Sequence, residues 1–229
     1  MRLTLPLPAL LRRVLTAALG VAVFAVGNFL TVKANVGQAP WNVLCMGLSF
    51  HLPLSYGAAT VTISLLIVLT DLLLGEPIGV TMLLDTLIVG PVFDLLDSFG
   101  LMPMLQSLWG GLALMTFGMV LLAVGQLIYM PACLGCGPRA ALTVGTGKRL
   151  KRLPIGVVEI LIQSSACLIG WLLGGGVGIG TLWFALGNGM VMQAVFHIAR
   201  FEPRGLAHLG IHQLVARRPA VEAGESCEK

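Results

Sequence analysis

The chain has 229 residues; 57% of them are Ala, Val, Ile, Leu, Met, Phe, Trp, Tyr or Cys and only 10% are charged. A soluble domain carries about 25% charged residues, and a fold this small has too much surface for its volume to bury so much apolar material. Soluble enzymes, disordered proteins and nucleic-acid binders are therefore excluded, and a polytopic membrane protein remains. The net charge of +4 does not mark a phosphate-binding patch, because the bases sit between apolar runs. Arg2, Arg12 and Arg13 precede the first run, Lys148, Arg149, Lys151 and Arg152 share one loop, and Arg200, Arg204, Arg217 and Arg218 follow the last. This is the positive-inside distribution.

In chain order the apolar segments are 14–32, 55–74, 79–97, 104–130, 155–173 and 178–199. Each approaches the ~20 residues that a helix needs to cross ~30 Å of hydrocarbon. Two shorter stretches, 38–50 and 137–147, lie between them and are too short to span comfortably. The integral membrane domain is read as 1–200, followed by a polar cytoplasmic tail over 201–229 that is expected to be loose. His208 and His212 share a face if that tail is helical; a solvated pair is the plain reading, since no third ligand is near and no metal is expected.

The chain also repeats itself. Residues 20–48 align with 118–146 at an offset of 98, and one insertion later the offset becomes 99. Eight glycine pairs keep register: Gly20/Gly118, Gly27/Gly125, Gly37/Gly135, Gly47/Gly145, Gly57/Gly156, Gly75/Gly174, Gly79/Gly178 and Gly90/Gly189. The first run, which could pass for a signal peptide, thus has a counterpart deep in the chain and is expected to stay. The expected fold is an all-α bundle of two homologous halves, about 14–97 and 104–199. Each half has three spans and one short re-entrant or interfacial segment. Three spans per half invert the second copy. Counting the short segments as spans gives eight crossings and parallel halves instead. Both versions place the two termini and the basic cluster inside.

Three stretches carry a resemblance: Gly37-Gln38-Ala39-Pro40-Trp41-Asn42-Val43-Leu44, Gly135-Cys136-Gly137-Pro138-Arg139, and Glu159 followed by Leu173 to Thr181. Over about residues 14–200 the chain resembles the YczE/YyaS/YitT-like group of bacterial integral membrane proteins. The resemblance implies a bacterial cytoplasmic-membrane location and carries no agreed molecular function. The chain departs from the pattern at Ala140, where the group commonly has Asp, at Val80 to Asp85, and at Gly189-Met190.

Ionisable residues inside spans mark function by default. Asp71, Asp94 and Asp97 fall near span ends, where solvated carboxylates are the plain reading. Asp85, Arg139 and Glu159 stand as candidates, with Pro40, Trp41, Asn42, Gly137 and Pro138 at the two Gly-Pro breaks. Arg139 and Glu159 are expected to pair, either at a substrate site or as a structural pair fixing the short segment. Free amides at a helix start beside Arg139 would face an anionic group. Cys133-Leu134-Gly135-Cys136 reads as small residues at a turn or as a lone disulfide, since thioredoxin chemistry needs a soluble βαβ setting. The glycines at 174–180 read as a tight external hairpin, not a P-loop, because the Lys-Ser/Thr is missing. No nucleophilic triad, catalytic role or cofactor is expected. The expected activity is small-molecule transport, with anions first, or solute binding by a membrane subunit. The alternative is a non-transporting scaffold for a membrane partner, docking through the tail. The bilayer, a small ligand and a second copy or membrane protein are the expected partners.

Overall fold

The computed structural model describes residues 7–150 and 152–201. Eight α-helices run through them: α1 (Leu7–Lys33), α2 (Pro40–His51), α3 (Tyr56–Leu73), α4 (Val80–Ser98), α5 (Leu108–Tyr129), α6 (Pro138–Arg149), α7 (Ile155–Leu172) and α8 (Ile179–Ile198). A 3-10 turn, Met130–Ala132, extends α5. The described residues contain no strand. Every apolar run therefore folds as a helix close to where the pattern places it. The tail from 202 on, with its two histidines, lies outside the described residues.

Five helices, α1, α3, α5, α7 and α8, are long and apolar enough to cross a membrane. α4 has comparable length, 19 residues, but contains Pro91 and the carboxylates Asp85, Asp94 and Asp97. Two of those carboxylates are engaged. Asp97 pairs with Lys33 where α1 and α4 both end. Asp94 accepts the Ser55 hydroxyl at 2.5 Å and the Gly57 N–H at 2.8 Å, so it caps the start of α3 from the neighbouring helix. Asp97 is the exposed helix end that the sequence suggested, with an ion pair added; Asp94 is instead part of a cap. Removing this cap strands a helix-start amide. Asp94→Ala is expected to lower stability by about 1–2 kcal/mol in detergent unfolding.

α2 and α6 each have 12 residues, hence about 18 Å of helix, too little to span.

The centre of the bundle is the α1–α5 crossing. A Cβ on Gly20 would lie 2.8 Å from the Gly125 carbonyl oxygen, and one on Gly27 would lie 2.8 Å from that of Gly118. The two backbones touch where side chains are missing, as small residues permit in membrane helices. Contacts pair a low number on α1 with a high one on α5, so the helices run antiparallel. α4 packs on α1 and α8 on α5, while α2 lies against α7 and α6 against α3. Outward faces carry bare apolar side chains, among them Leu65, Leu69, Leu168, Trp171 and Leu186.

The loops before α2 and α6 bend alike. Asn35 (φ 53°) and Gly37 (φ 112°) precede α2; Cys133 (φ 54°) and Gly135 (φ 105°) precede α6. Each loop is tied to a distant helix start. The Gly180 N–H donates to the Val36 carbonyl at 2.7 Å, and the Thr81 N–H donates to the Leu134 carbonyl at 3.1 Å. The glycine-rich segment at 174–180 is therefore more than a hairpin: its end clasps the first loop.

Candidate functional site

α2 and α6 start in the same way. Pro40 and Pro138 occupy the first helical turn, where a missing N–H loses no bond and the ring pre-sets φ. Ala39 and Gly137 precede them in extended conformation without a side-chain cap. The next residues, Trp41 and Arg139, meet: the guanidinium carbon lies 5.5 Å from the indole centroid, a cation–π contact. The two breaks in the apolar pattern thus come together in space.

Around this contact lies a polar interior. Asn42 on α2 donates its amide to Oδ1 of Asn28 on α1 at 2.7 Å, and both residues are buried. The Thr31 hydroxyl donates to the Asn28 carbonyl at 2.7 Å. Tyr56 opens α3 beside Asn28, Thr60 and Cys45, and its ring packs on Phe93 with centroids 4.1 Å apart. The Arg139 charge acts on Cys45 and Tyr56, and also on Asp85 of α4 and Tyr129 of α5. Six helices therefore contribute to one cluster.

The cluster is not closed on itself. Asn28 Nδ2, Asn42 Oδ1, the Tyr56 hydroxyl and Arg139 Nε are buried without a hydrogen-bond partner. Native interiors rarely leave such groups unpaired, and each one calls for an explanation. Arg139 has no ion pair either. Among the described residues the ion pairs are Lys33–Asp97 and Lys148–Glu76.

Several expectations need correction. Glu159 is exposed and accepts from Gln163 at 3.0 Å; it does not pair with Arg139. Glu159 stands in line with the buried Ala166 and Gly170, seven and eleven residues further on, but near the start of α7, where residues 152–157 are all exposed and nothing covers it. Asp71, expected at a solvated end, is fully buried at the α3–α6 contact with both oxygens unpartnered. Cys136 is a free thiol, so the CxxC is not closed on itself. Of the remaining expected residues, Pro40, Trp41, Asn42, Gly137, Pro138 and Arg139 lie at the starts of α2 and α6, and Asp85 lies on α4.

Asn28, Tyr56 and Tyr129 escaped the sequence reading, which weighed charged residues and the two Gly-Pro breaks. A signal was present: Asn28 interrupts an apolar run, and Tyr56 and Tyr129 are the two tyrosines of the chain. A groove outside this cluster, between α3 and α4, is lined by Gly57, Val61, Pro91 and Asp94; its carboxylate is already spent on the α3 cap.

Residues 11–197 match the model of a family described as a family of unknown function, DUF6198. The chain belongs to that family. An uncharacterised protein of Haemophilus influenzae is 30% identical over 177 residues, covering 77% of this chain and 80% of the relative. The uncharacterised membrane protein YczE of Bacillus subtilis is 29% identical over 180 residues, covering 76% and 80%. YyaS of the same organism, also uncharacterised, is 26% identical over 182 residues, covering 79% and 90%. No solved structure matches the chain. With five long apolar helices and a relative named as a membrane protein, this family member is a membrane protein.

Proposed function

We propose that this protein is a bacterial cytoplasmic-membrane transporter, or the solute-binding subunit of one. Its substrate sits between two inverted halves and places an anionic group at Arg139. The observation that carries the reading is the meeting of the two helix starts, Trp41 against Arg139, amid buried polar groups that lack partners. Discontinuous helices that meet at a repeat interface form the substrate sites of inverted-repeat transporters.

The inversion is supported by how the register-matched residues touch. Gly20 meets Gly125 while Gly27 meets Gly118, a reciprocal contact of the kind a two-fold axis makes. Gly37 lies against Gly178, and Gly135, the counterpart of Gly37, lies against Gly79, the counterpart of Gly178. Trp41 and Arg139 are themselves register-matched at the offset of 98. Antiparallel α1 and α5 favour three crossings per half, because four would run them parallel. In the inside-terminus orientation Lys33 is the lone outer base, and Asp97 neutralises it.

The test is untargeted uptake. Proteoliposomes are exposed to a bacterial metabolite extract and their contents read by mass spectrometry. At least one carboxylate-bearing solute is expected to accumulate, and Arg139→Gln is expected to reduce it about tenfold or more with the protein still folded. Accumulation of nothing, or of the same solutes through Arg139→Gln, overturns the reading.

A further inference from the structure

We infer that the site takes a small zwitterion, with its carboxylate at Arg139 and its ammonium at Asp85; this rests on the substrate-site reading above. Asp85 stands on the stripe of α4 that buries Thr81, Met82, Thr86 and Val89, α4 and α6 pack together through the cluster that holds Met82 and Ala141, and the Arg139 charge acts on Asp85; among the described residues neither charge belongs to an ion pair. In a membrane interior such charges are costly unless each meets a partner. A plain anion satisfies Arg139 and is repelled by Asp85. A plain cation does the reverse. A molecule carrying both charges satisfies both.

The uncharged groups sort in the same way. Beside Arg139 the unpartnered atoms include two more donors, Asn28 Nδ2 and the Tyr56 hydroxyl, which suit a carboxylate. Tyr129 packs on the same clusters as Leu84, the neighbour of Asp85, and feels both charges, so its hydroxyl can accept from an ammonium at Asp85 or donate to a carboxylate at Arg139. Asn42 Oδ1, also unpartnered, adds an acceptor beside Asn28. The indole of Trp41 supplies an apolar wall against which a carbon skeleton can lie.

The test compares matched probes in thermal unfolding of the purified full chain at neutral pH. One set is β-alanine, propionate and propylammonium; the larger set is phenylalanine, phenylpropionate and phenethylammonium. The zwitterion of at least one set is expected to stabilise the protein at about tenfold lower concentration than its matched anion or cation, a difference of one factor of ten in affinity. Asp85→Asn is expected to move the preference to the anion, and Asp85→Glu, which keeps the charge, to leave it with the zwitterion. Arg139→Gln is expected to move it to the cation. If the anion stabilises the wild type as well as the zwitterion does, or Asp85→Asn leaves the ranking unchanged, the zwitterion inference fails and the anion site stands. If no probe of either set stabilises the protein, both readings fall.

Discussion

Gly27→Leu is expected to be among the most damaging single substitutions in this protein. A Cβ there already lies 2.7 Å from the Leu122 amide nitrogen and 2.8 Å from the Gly118 carbonyl oxygen. Both are backbone atoms, so no rotamer change relieves the contact, and the helices must part along the crossing that centres the bundle. Overpacking against movable side chains costs about 1–3 kcal/mol, and a clash with fixed backbone exceeds that range. We expect a loss of about 3 kcal/mol or more, read as a lower yield of monodisperse protein and a lower thermal midpoint. Gly156→Leu on α7, where a Cβ meets nothing within 4 Å, is the control and is expected to be tolerated. Equal damage at both sites overturns the account.

Gly37→Ala follows, for two reasons that add. Its φ of 112° lies where an L side chain is strained, and its Cβ would approach the Gly178 nitrogen to 2.7 Å. Left-handed backbone costs a non-glycine residue about 1–2 kcal/mol, and the steric term raises the expected loss to about 2–4 kcal/mol. Gly75→Ala separates the two terms. It has φ of 68° but open space around it, so only the conformational part, about 1 kcal/mol, is expected. Thermal unfolding of both variants in one detergent decides it; matching losses would show that the clasp between Gly37 and Gly178 contributes nothing.

How far the sequence could be read depended on which property carried the information. Helix positions follow from length and apolarity, and α2 and α6 begin at Pro40 and Pro138 because proline suits a first turn. The meeting of the two breaks was also within reach, through the glycine register. How far along a helix its neighbours reach was not. Glu159 stands in line with the buried Ala166 and Gly170 yet is exposed, because only neighbours in space fix how much of α7 is covered. The same blindness hid Asp71, whose position near a helix end says nothing of the short helix α6 that covers it. Asn28 was legible in principle, since an amide inside an apolar run needs a partner. Asn42, the partner it has, lies beyond a loop whose direction no local pattern sets.

The bonds from Gly180 to Val36 and from Thr81 to Leu134 bear on how the chain is made. The donor for the Val36 carbonyl stands at the start of α8, 144 positions further on. Helices α1 to α7 can enter the bilayer one after another as they leave the ribosome, but the first loop lacks this tie until α8 arrives. Native structure is thus a late event of biogenesis, and a nascent chain stalled before residue 180 is expected to be a ready substrate for membrane proteases.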